Sequence, residues 1–128
     1  MRATVKKDME LERAFVKAGG LLVNGADPTG MGGVLAGLGD QRGVELLVEA
    51  GFTPVEAIHI ATQNGAELLG EGARLGTLAP GKLADLVVLR GDPSTRIEDI
   101  EKVEWVFKDG IGYDPAKLID SVRGQVGQ

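Results

Sequence analysis

The chain has 128 residues, enough for one domain with a core, and its 43% apolar and 26% charged composition is ordinary for a globular protein. A net charge of −5, scattered basic residues and few aromatics argue against a nucleic-acid surface, and no apolar run reaches the length of a membrane span. With no cysteine there are no disulfides, thiolate zinc sites or cysteine nucleophile, and with one histidine, His59, no mechanism can draw two histidines from this chain.

The N-terminal run "MRATVKKDMELERAF" has no apolar segment, so it does not read as a secretory signal. Residues 4–18 predict a helix with Val5, Met9 and Val16 on one face and Leu11 and Phe15 one turn apart; Gly19-Gly20 ends it. Leu21–Asn24 reads as a short buried strand bounded by glycines. It leads to Asp27, which Pro28 is expected to hold extended. Five glycines fall within residues 30–39, but no Gly-Lys-Ser/Thr step follows, so a phosphate-binding loop is poorly supported.

Residues 40–50 predict a helix capped by Asp40, with Val44, Leu47 and Val48 inward. In "FTPVEAIHIATQNGAELLG", Thr53, Pro54 and Glu56 occupy the N-cap, first and third positions of a capping box. A helix should run from there to Gly70, with its apolar stripe at 55, 58, 61 and 69.

The pattern changes after Gly72. "RLGTLAPGKLADLVVLRGDP" suggests a strand, a turn at Pro80-Gly81 and a second strand over 84–90, whose continuous run Leu86–Leu89 predicts burial on both faces. A third strand is expected at 103–108, closing on Asp109-Gly110, and a last helix over 114–123. Trp105 and Phe107 share a strand face and read as core, and Asp85 reads as a structural carboxylate bonded to turn N–H groups.

Taken alone, Asp27 before proline is either a turn residue or a site carboxylate. His59 lies mid-helix between two isoleucines and reads as packed or surface. Asp40 and Arg42 read as helix-start charges, with a substrate contact as the alternative.

Three segments carry a resemblance. "LGTLAPGKLADLVVLRGDP" resembles the return of the chain into the small β-sandwich of the metal-dependent amidohydrolase superfamily. "FTPVEAIHIATQNGAELLG" is similar to the helix before it, and "LLVNGADPTG" to the end of the eighth barrel strand. The segment order matches from about residue 10 to 124, nearest to the imidazolonepropionase-like and Xaa-Pro dipeptidase-like branch.

The resemblance implies an α/β fold: the C-terminal part of a (β/α)8 barrel over 1–72, a β-sandwich segment over 73–112, and a C-terminal helix and tail over 113–128. It implies that Asp27 is a metal ligand and the catalytic acid/base of a hydrolase acting on C–N bonds, with a small amide, cyclic amide or peptide-like substrate. Substrate-binding residues remain unassigned. Ala26 departs from the small hydroxyl residue often found there. The family's His-x-His pair and later histidines have no counterpart here, so a divalent metal, zinc first, is expected in the full-length enzyme. This chain alone should hold none tightly and be inactive. A cytoplasmic homo-oligomer without nucleic-acid or membrane partners is expected. The rival readings are a non-catalytic self-associating domain and a small-ligand module at the glycine loop.

Overall fold

A computed structural model describes residues 3–27, 34–35 and 37–125. Its elements are helices α1 (Ala3–Lys17), α2 (Leu38–Glu49), α3 (Pro54–Ala61) and α4 (Gln63–Leu68), strand β1 (Leu86–Leu89), a 3-10 helix (Ile97–Glu101), strands β2 (Val103–Lys108) and β3 (Ile111–Tyr113), and helix α5 (Pro115–Ser121). None of the described helices is long and apolar enough to cross a membrane.

Local chemistry sets the helix ends. Thr53 caps α3, its hydroxyl accepting the Glu56 N–H while the Glu56 carboxylate accepts the Thr53 N–H at 2.7 Å. At the end of α2 the Phe52 N–H bonds to the Leu47 carbonyl and the Gly51 N–H to that of Val48, with Gly51 at φ +101. That turn folds Phe52 back into the core. Gly37 stands at the cap position of helix α2, so Asp40 lies in its first turn and is not the cap.

The core joins α2 and α3 to the 3-10 helix: Val44, Leu47, Phe52, Ala57, Ile60 and Ile97 pack together. Helix α3 does not continue to Gly70 as expected. The Thr62 hydroxyl bonds the Ile58 carbonyl at 2.7 Å, while the Thr62 N–H turns to His59, so the ladder breaks at Thr62 and α4 begins at Gln63. The buried side chains are then Ala57, Ile60 and Ala66. Val55 and Leu69, two positions of the expected stripe, stand exposed.

The sheet is antiparallel in the order β1-β2-β3. A two-residue turn at Asp109-Gly110, both at positive φ, joins β2 to β3. Glu104 is the extra residue where the register shifts between Val88 and Leu89. The expected strand before Pro80 is replaced by turns, with the Lys82 ammonium pinned by the Gly72 and Leu75 carbonyls and the Thr77 hydroxyl. Nor is β1 buried on both faces: Val87 and Val88 are exposed. Trp105 and Phe107 do share a face, ring centroids 6.4 Å apart, but Trp105 is exposed.

Candidate functional site

Asp27 ends the segment 20–27, which crosses between α1 and α2. The expected strand Leu21–Asn24 is not formed. A strand requires a hydrogen-bonded neighbour, and none of the described elements pairs with it. Nor is Asp27 extended: its φ is +42°, in the left-handed region. The following proline disfavours right-handed helical backbone, and a short polar side chain tolerates the left-handed alternative. The carboxylate is exposed. Asp109, in the turn between β2 and β3, adopts the same region at φ +51. Half of the glycine loop expected at 30–39 falls outside the described residues.

Two side chains tie the segment to the helices. The Asn64 amide of α4 donates to the Leu22 carbonyl at 2.7 Å. The Asn24 amide makes a long contact, 3.5 Å, with the Asp40 carbonyl, and its head lies where a side chain at Gly43 would stand. Beside the segment, between α1 and α2, is an open cavity of about 310 Å³. Met9, Leu22 and Leu47 form its apolar wall, and Asp8, Glu12 and Asn24 are polar lining residues.

The other candidate residues stay apart from Asp27 in role. His59 is exposed on the last turn of α3. Arg42 spans Glu45 at 2.8 Å and Glu49 at 2.6 Å along α2, an intrahelical pairing of helix charges. Asp85 accepts the Asp109 N–H at 2.6 Å and pairs with Lys108, which together hold its carboxyl below the usual carboxylate range; the Lys108 ammonium is the larger influence. This is the structural role expected for it.

Two residues the sequence reading passed over are Asn64 and Asp99. Asp99 is buried, at 4% exposure, and accepts from the Lys102 ammonium, the Asp92 N–H and the Arg96 guanidinium. These partners, Lys102 foremost, hold its carboxyl far below the usual range. Gly91, at φ +120, lies against it and leaves no room for a side chain. The signal available in sequence was Arg96-x-x-Asp99-x-x-Lys102, three charges one turn apart.

The donor chemistry of Asp27 fits one ligand of a divalent metal. It does not make a centre: among the described residues no group of three or more His, Cys, Asp and Glu side chains gathers to hold an ion.

Residues 6–111 match the amidohydrolase family. The chain is 50% identical over 68 residues to an imidazolonepropionase of Solibacter usitatus, an alignment covering 53% of this chain and 14% of that protein. It is 37% identical over 78 residues to adenine deaminase 2 of a Jannaschia species, covering 60% and 12%. Among solved structures, a Xaa-Pro dipeptidase with methionine bound in its active site superposes with a TM-score of 0.73 at 32% identity, over 83% of this chain and 25% of that one. The chain therefore spans about an eighth of the curated relatives and a quarter of the solved one.

Proposed function

The chain belongs to the amidohydrolase family, and from that premise we propose that it is the C-terminal portion of a metal-dependent hydrolase of C–N bonds, in which segment 20–27 would pair as the last barrel strand, followed by its helices and part of the small β-sandwich. Relatives named as a deaminase and a dipeptidase act on C–N bonds. The substrate class that follows is a small amide, cyclic amide or peptide-like amide.

In this reading Asp27 is one carboxylate ligand of the metal and the acid/base of the reaction. A bound divalent metal supplies Lewis-acid polarisation and an acidified water. The carboxylate accepts the proton of the attacking water and returns it to the departing nitrogen, which would otherwise leave as a poor anion. Catalytic zinc takes three protein ligands, and this chain contributes one, so the others belong to residues outside it. The observation that supports the reading is the position of Asp27: an exposed carboxylate at the end of a segment anchored to two helices and inside the matched region.

The test is a zinc titration of the purified chain with a parallel assay on amide and dipeptide substrates. Weak zinc binding and no turnover are expected. Tight binding at one ion per chain, with turnover, would place a complete site within these residues and overturn the reading.

A second reading, a domain that self-associates without catalysis, is favoured by apolar side chains left open on several elements. Leu11 is 69% exposed, Leu78 80% and Ile111 60%. Association between copies would remove such side chains from water.

A further inference from the structure

We infer that Asn64 is a positioning residue for Asp27, its side-chain amide fixing the backbone of the segment that presents the carboxylate. The inference rests on the role proposed for Asp27 and deepens it.

Segment 20–27 has no ladder of its own among the described elements, yet its course is defined. Something other than sheet pairing holds it. The Asn64 Nδ2–H···O=C bond to Leu22, at 2.7 Å, is a side-chain bond bridging 42 residues of sequence, and Asn64 is part-buried where it forms. A carbonyl so placed needs a donor, and a primary amide supplies one without adding charge.

The break at Thr62 matters here. Had α3 run on, residues 63–68 would have continued its ladder. The hydroxyl of Thr62 instead occupies the Ile58 carbonyl, and α4 restarts with Asn64 as its second residue, against Leu22. On the opposite side Asn24 leans on α2, in the space that Gly43 leaves by lacking a side chain. Asp27 is three residues beyond Asn24 and five beyond Leu22. A clamp that close limits how far the carboxylate can wander. Displacements near 1 Å at a reacting group cost on the order of 10²-fold in rate, so a neutral amide that never touches substrate can still govern the reaction.

The experiment uses the whole chain, isotope-labelled for NMR. A scalar coupling across the hydrogen bond, from Asn64 Nδ2 to the Leu22 carbonyl carbon, is expected in the wild type. Backbone order parameters over residues 21–27 should lie near the rigid value of about 0.85. Asn64→Leu keeps the bulk and removes the donor; Asn64→Asp, nearly isosteric, serves if the first variant fails to fold. In the variants the order parameters of 21–27 should fall below about 0.6, while those of α2 and α3 hold. No coupling in the wild type, unchanged order in the folded variants, or an equal loss throughout α2–α4 would each overturn the proposal. Asp27→Asn is the control and should leave coupling and order untouched. A failure of the catalytic reading would therefore leave the tether standing, and a failure of the tether would leave catalysis to be tested separately.

Discussion

The carboxylate of Asp85 accepts the backbone N–H of Asp109 at 2.6 Å, tying the start of β1 to the turn between β2 and β3. The same carboxylate pairs with Lys108, the last residue of β2. One side chain thus closes a hairpin turn whose two residues both have positive φ. Asp85→Asn should retain the bond to Asp109 in part and lose the ion pair. Because the folded carboxyl titrates below its ordinary value, its contribution is present above that value and disappears as the pH falls through the folded one. Denaturation followed by Trp105 fluorescence should show a lower midpoint for the variant at neutral pH and a smaller difference in acid. Equal midpoints at neutral pH would reject the anchoring role.

Asp99 should dominate acid sensitivity in the loop from Gly91 to Lys102. Its carboxyl is held low by Lys102, the Asp92 N–H and Arg96, so the folded state gains from its charge above the ordinary carboxylate pKa of about 4. That gain erodes as the pH drops below about 4, where the unfolded chain takes up the proton first. Asp99→Asn should lower the unfolding midpoint at pH 7 and flatten its pH dependence below 4. The adjoining 3-10 helix delivers Ile97 to the core, so the effect should reach the helices. A variant as acid-sensitive as the wild type would contradict this.

Thr53→Ala should cost about 1 kcal/mol, since the Glu56 N–H in the first turn of α3 loses its acceptor. Chemical denaturation checks it: the midpoint should fall with the slope unchanged, and no shift would mean that the cap contributes nothing.

That cap was legible because it is written within four consecutive residues, and the same holds for Asp109-Gly110 and for Asp114, whose side chain accepts from the Ala116 and Lys117 N–H groups. The inward face of α2 was legible too, from Val44, Leu47 and Val48. What was not legible depends on neighbours. The strand status of Leu21–Asn24 and the burial of Leu86–Leu89 are properties of what lies alongside. The break at Thr62 turns on one hydroxyl competing for a carbonyl, which apolar periodicity does not register. β3 is three residues long, too short for its alternation to stand out. At the candidate site, sequence singled out Asp27 but not its left-handed backbone, and it missed Asn64 because a neutral amide in a helix carries no motif.

The open apolar side chains predict association. Light scattering on the purified chain should report species of at least twice its 13.4 kDa mass at high concentration. A strictly monomeric chain would mean that Leu11, Leu78 and Ile111 tolerate solvent, and would remove the support for the second reading.

The acid/base role proposed for Asp27 sets it apart from a turn residue. Its most direct measurement is the turnover of a longer amidohydrolase containing the same run, Asn-Gly-Ala-Asp-Pro-Thr-Gly, with the aspartate changed to asparagine as in Asp27→Asn. The amide keeps the volume and cannot take up the proton. Circular dichroism should show an intact fold, and the rate should fall by roughly 10²–10⁴-fold, the usual loss for a general base; turnover close to that of the unaltered enzyme would return Asp27 to the turn residues.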